Sequence, residues 1–184
     1  MRRLGIWAVL LPGLWLVAEA AAASRVLASD HHSLDAGRRP GVGDAAPSLE
    51  LDTLDGEVFR QSQLAGQVTV VDFVATWCRP CREARRDLTR ILAELGPRIR
   101  IVLVDVSEDP ALVRRSLDAD RPPIGTTVLL DRDGAAARRW GQDRFPTTFL
   151  LDQSGVIRHI NRGWGPGYRE RVAGWLRQML PGAR

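Results

Sequence analysis

The chain contains two cysteines, Cys78 and Cys81, and only Arg79 and Pro80 separate them. At that spacing the two sulfurs come close enough to bond, so the pair can cycle between dithiol and disulfide. A β-branched apolar run, residues 68–74, ends just before Cys78, and an amphipathic helical pattern follows it. The first turn of a helix carries unpaired N–H groups and a partial positive charge, which favour a thiolate over a thiol. Cys78 falls where that field is felt and where solvent is expected to reach, with Cys81 one turn further in. Pro80 suits the first helical turn and stiffens it. Arg79 places a cation between the sulfurs, which is expected to favour the Cys78 thiolate and the reduced form. Two other uses of a cysteine pair fit less well. A structural zinc site usually needs four protein ligands, and outside the N-terminal tail the only histidine is His159. A purely structural disulfide closing so short a loop removes little chain entropy. The pattern therefore points to redox chemistry at Cys78 and Cys81, with no resident metal or cofactor.

Positioning these sulfurs requires a strand, a helix and a sheet around them. Residues 68–74 (Val68-Thr69-Val70-Val71-Asp72-Phe73-Val74) read as a strand buried on both faces. After Cys81, Ala84, Leu88, Ile91, Leu92 and Leu95 recur at helical spacing, with Arg82, Arg85, Arg86 and Arg90 expected on an outer face, and Gly96-Pro97 stops the helix. Upstream, residues 48–51 and 58–60 flank Asp55-Gly56 and predict a hairpin. Downstream, strands are expected at 99–106, 126–130, 147–151 and 156–160, and helices from Asp109-Pro110 to about 117, over 135–140 and over 168–180. Strands alternating with helices, then a hairpin and a last helix, predict an α/β fold whose mixed sheet has helices on both faces.

Composition sets the compartment and excludes several classes. Apolar residues make up 45% and charged residues 26% of the 184, which fits a globular protein and excludes collagenous or wholly disordered chains. All 26 basic residues are arginine, but 22 acids are interleaved with them, so the net charge of +4 does not imply nucleic-acid binding. Arg2-Arg3, an apolar stretch over 4–18 and the small residues around Ala20 and Ala23 follow the order of a secretory signal peptide. An uncleaved N-terminal anchor is the alternative reading of 1–23. Residues 24–42 have linker composition, in which His31 and His32 read as solvated rather than as ligands, and 43–184 remain for one domain.

Beyond these local signals, the segment Val70-Val71-Asp72-Phe73-Val74-Ala75-Thr76-Trp77-Cys78-Arg79-Pro80-Cys81 resembles the active-site segment of thioredoxin-fold proteins. Phe145-Pro146-Thr147-Thr148-Phe149-Leu150-Leu151-Asp152, with Gly155 beyond, resembles the family's cis-proline strand and following hairpin. Gly43-Asp44-Ala45-Ala46-Pro47, and Leu51 through Asp55-Gly56 to Leu64-Ala65-Gly66, match the entry of the TlpA/ResA-like branch of exported thiol–disulfide oxidoreductases. The resemblance implies a thioredoxin-like domain with an N-terminal β-hairpin extension. It implies Cys78 as nucleophile, Cys81 as resolving thiol, Trp77 as a wall of the site, a cis Pro146 facing the sulfurs, and the Phe145 backbone as the edge that pairs with a substrate strand. Asp72 stands at the position of thioredoxin's buried acid, where partial desolvation would raise its pKa and let it take the Cys81 proton. The branch often has a glutamate three residues after its second cysteine. Ala84 stands there instead, and Glu83, one residue early, is expected to be an ordinary solvated residue.

The implied activity is exchange with cysteines of partner proteins, as a reductant of sites such as the haem-attachment cysteines of apocytochromes c or of copper proteins. A membrane electron donor would recharge it. A disulfide-introducing oxidant and a Cu(I)- or haem-delivery module on the same fold are the alternatives. A thiol peroxidase would have threonine three residues before its cysteine; Ala75 stands there and Thr76 follows one residue late.

Overall fold

The computed structural model describes residues 38–180. The leader and most of the linker lie outside the described residues, and no helix among those described is long and apolar enough to cross a membrane. Contacts divide the chain into Met1–Arg38, of which only Arg38 is described, and a unit spanning Arg39–Arg184. That unit begins inside the stretch expected to be linker: Arg39 pairs with Asp143 at 2.9 Å.

Seven strands form one mixed sheet in the order β2-β1-β5-β4-β3-β6-β7. They are β1 (Glu50–Thr53), β2 (Val58–Arg60), β3 (Val68–Val74), β4 (Ile99–Val106), β5 (Thr127–Asp131), β6 (Thr147–Leu151) and β7 (Ile157–Arg162). Four α-helices accompany them among the described residues: α1 (Arg79–Leu95), α2 (Pro110–Ala119), α3 (Ala135–Arg139) and α4 (Tyr168–Met179). The parallel trio β3, β4 and β5 sits at the centre, and β6 adds antiparallel to β3. The expected hairpin is present with Gly56 at φ 90° in its turn, and β1 also pairs antiparallel with β5, so the extension continues the main sheet. On the far side, residues 43–46 pair with residues 155–157, at the start of β7. Ala45 bridges Val156, the Gly43 N–H donates to the Ile157 carbonyl at 2.8 Å, and the Ile157 N–H donates to the Asp44 carbonyl at 2.9 Å.

Strand side chains alternate between faces, and this splits the core in two. Val68, Val70, Ile101, Leu103 and Leu150 pack on one side with Ala84, Leu88 and Ile91 of α1 and Val172 and Leu176 of α4. Val71, Phe73, Val102, Val104 and Phe149 pack on the other with Ala136 and Ala137 of α3, Trp140, and Phe59 of the hairpin. There Phe73, Phe149 and Trp140 meet with ring centroids 4.9–5.8 Å apart. All seven residues of β3 are buried, as its apolar run predicts.

The expected outer-face placement of Arg85 is overturned. Arg85 is 5% exposed rather than on an outer face, and its guanidinium pairs with Asp120 at 2.7 Å. Position 85 lies one turn beyond Cys81, so its stem is carried inward, and Asp120 supplies the countercharge that a buried cation requires. Glu83 pairs with Arg86 at 2.9 Å along the helix surface, as its solvated reading anticipates.

Candidate functional site

The site forms where β3 ends and α1 begins. Cys78 is the N-cap of α1: its backbone is extended, and its Sγ accepts from the Cys81 N–H at 3.1 Å. Arg79 and Pro80 occupy the first turn, both exposed, and proline there sacrifices no helical hydrogen bond. Cys78 and Cys81 are joined in a disulfide. Contrary to the expected solvent access, Cys78 is only 3% exposed and Cys81 1%. In this oxidised form both sulfurs belong to the α1/α4 core cluster, with Phe145 packed against it.

The rim comes from two aromatic residues on different elements. Trp77, just before the N-cap, is 69% exposed, and its ring meets that of Phe145 edge-on at 5.3 Å. The Phe145–Pro146 peptide is cis, as the resemblance implies. Pairing of β6 with β3 begins at Thr147, so the Phe145 backbone lies just past the end of the ladder.

Beneath the disulfide's face of the sheet, Asp72 is fully buried among apolar residues of β3. Burial pushes its carboxyl up to about 7; the Thr148 hydrogen bond and the positive charge of Arg85 pull in the opposite direction. The β3/β6 register sets Thr148 directly opposite Asp72. The Thr148 hydroxyl donates to Asp72 Oδ1 at 2.9 Å, and the Tyr168 hydroxyl lies 3.1 Å from the same Thr148 oxygen. Because Thr148 spends its proton on Asp72, Tyr168 is the donor of that second bond. Desolvation and the Asp72 charge raise the Tyr168 phenol, so it stays protonated. Asp72 Oδ2 has no partner. A buried carboxyl with one oxygen held and the other free is equipped to exchange a proton locally.

Thus Trp77, Cys78, Arg79, Pro80 and Cys81 stand together at the start of α1, Phe145 reaches them from the segment before β6, its peptide bond to Pro146 cis, and Asp72 lies on the strand that leads into α1. The sequence reading missed Thr148 and Tyr168. The Pro-Thr-Thr-Phe run contained Thr148, but its tie to Asp72 depends on the strand register, and Tyr168 reaches it only because α4 folds back over β6.

Similarity to known proteins agrees with this geometry. The model of the AhpC/TSA family matches residues 42–160. The thioredoxin-like protein YneN of Bacillus subtilis is 30% identical over 122 residues, covering 66% of this chain and 71% of the relative. Thiol-disulfide oxidoreductase ResA of Geobacillus thermodenitrificans is 30% identical over 125 residues, covering 66% and 70%. The thiol:disulfide interchange protein DsbE homolog of Paracoccus denitrificans is 34% identical over 131 residues, covering 70% and 69%. Among solved structures, one from Chlorobium tepidum described as a thiol:disulfide interchange protein DsbE superposes with a TM-score of 0.68 at 28% identity, covering 74% of this chain and 96% of that one. With its cysteine pair bonded at a helix N-terminus and a cis-proline preceding β6, the chain belongs to the AhpC/TSA family and is, within it, a ResA-like thiol–disulfide oxidoreductase.

Proposed function

We propose that this oxidoreductase is exported and acts as a reductant of disulfides in partner proteins, with apocytochrome c haem-attachment cysteines or copper-site cysteines as its class of substrate. The observation that carries the thiol chemistry is the Cys78–Cys81 bond at the N-terminus of α1, which follows the strand that carries the buried Asp72. In the reduced protein, the Cys78 thiolate attacks one sulfur of a partner disulfide, and the other partner sulfur leaves as a thiolate. Asp72, as carboxylate, takes the Cys81 proton. The Cys81 thiolate then attacks Cys78 Sγ in the mixed disulfide, which expels the second partner sulfur and closes Cys78–Cys81. Two electrons pass to the partner, and a membrane electron donor restores the dithiol. Trp77 and Phe145 supply an apolar rim, and the Phe145 backbone, beyond the β3/β6 ladder, offers an edge for an extended substrate segment.

The leader read in residues 1–23 supports export, and the similarity to ResA and DsbE proteins supports the choice of partner class. The deciding experiment equilibrates Cys78–Cys81 against glutathione and dithiothreitol buffers and follows insulin reduction in parallel. A potential near thioredoxin's value of about −270 mV supports a reductant, and one approaching about −120 mV assigns the oxidant direction instead.

A further inference from the structure

Thr76 fits no peroxidatic pattern, yet its polar atoms are held from two sides. Its backbone N–H donates to Glu108 Oε2 at 2.5 Å, and its hydroxyl donates to Glu108 Oε1 at 2.6 Å. Its carbonyl accepts from the Arg82 guanidinium at 3.4 Å. Glu108 reaches it from the loop after β4, 32 positions along the chain. The backbone turns there through Ser107, which sits at φ 62° and is the one non-glycine residue in the left-handed region among those described. Such a conformation costs a serine energy and persists where the surroundings demand it. Two residues before that bend lies Asp105, which is 3% exposed, has an unpartnered Oδ1, and shares a small cavity with Thr76 and Arg85.

We propose that Glu108 is a positioning residue for the redox loop: both its carboxylate oxygens grip Thr76, two residues before the nucleophilic cysteine. The N-cap geometry of Cys78 depends on the preceding turn, since the Cys78 N–H donates to the Ala75 carbonyl at 3.1 Å. Fixing Thr76 therefore fixes the approach of Cys78 to a partner disulfide. Burial and the neighbouring Glu108 carboxylate raise the Asp105 carboxyl to about 8. A carboxylate acceptor makes both of the Thr76–Glu108 hydrogen bonds stronger than neutral ones. The other charged groups around the cluster are Arg82, on the Thr76 carbonyl, and Arg85, whose charge is already paired with Asp120.

The test compares variants of the full chain by insulin reduction between pH 6 and 9.5, with thermal melts to establish folding. Thr76→Val and Glu108→Gln are expected to lower kcat/KM on the order of tenfold, since small misplacements of a reacting group cost up to about a hundredfold. Thr76→Ser, which keeps the hydroxyl, restores the rate to within about twofold. Wild-type rates in Thr76→Val and Glu108→Gln, or an equal loss in Thr76→Ser and Thr76→Val, would each overturn the proposal. The inference rests on the reading of Cys78 as nucleophile. Failure of the wild type to reduce insulin refutes that reading, whereas the ratio of variant to wild type tests Glu108.

Discussion

The chemistry at Asp72 turns on a carboxyl whose proton is held by burial. Its working form as a base is the carboxylate, so resolution of the mixed disulfide should accelerate as pH rises through about 7. Asp72→Asn should remove that limb and slow resolution by about 10²–10⁴-fold, the usual range for a lost general base. Rapid-quench trapping of the Cys78 mixed disulfide checks it: the variant should accumulate this species, and an unchanged lifetime would exclude Asp72 from the step. Arg79 makes a separate electrostatic claim. It is exposed in the first turn of α1, so Arg79→Gln should raise the pKa of the reduced Cys78 thiol, read from the pH dependence of alkylation. Unchanged titration would leave the helix terminus as the sole source of activation.

Two elements that meet only in space complete the site, and they explain what the sequence could and could not disclose. Strand β6 brings Thr148 to Asp72, and α4 brings Tyr168 to Thr148. Thr148→Val should therefore shift the rising limb of the resolution rate to higher pH, because the lost hydrogen bond is one that lowers the Asp72 pKa. Tyr168→Phe should give a smaller shift in the same direction, and a rate profile that stays in place for both would disconnect the hydroxyl pair from Asp72. The strand–CxxC–helix unit was legible because its signals are local: a β-branched run, a capping position and helical periodicity adjoin in sequence. Element boundaries were read to within one to two residues, as at β1, which starts at Glu50 rather than 48. The grip of Glu108 on Thr76 and the Thr148–Tyr168 pair were illegible, since each depends on which strands and loops become neighbours. Arg85 misled for a related reason: its charge suggested solvent, and only the position of Asp120 makes burial tolerable.

At the scale of the whole molecule, Asp72 and Asp105 make folding itself sensitive to pH. Both carboxyls sit well above their ordinary value of 3.8 in the folded state, at about 7 and about 8. Between about pH 4 and pH 8 the folded protein thus retains protons that the unfolded chain releases. Stability is fully expressed below about pH 4 as far as these groups are concerned, and is lost as pH rises through 7 and then 8. Urea titrations of the oxidised protein should show Asp72→Asn gaining about 2–4 kcal/mol over wild type at pH 9 but little at pH 4. An equal gain at both pH values would mean that packing, rather than ionisation, is responsible. The strip formed by residues 43–46 at the start of β7 carries a different consequence, for handling the protein in solution. It occupies hydrogen-bonding groups at the border of the sheet. Unsheathed borders of this kind invite pairing between molecules, so a version trimmed to begin after Pro47 should self-associate at concentrations where the longer chain stays monodisperse.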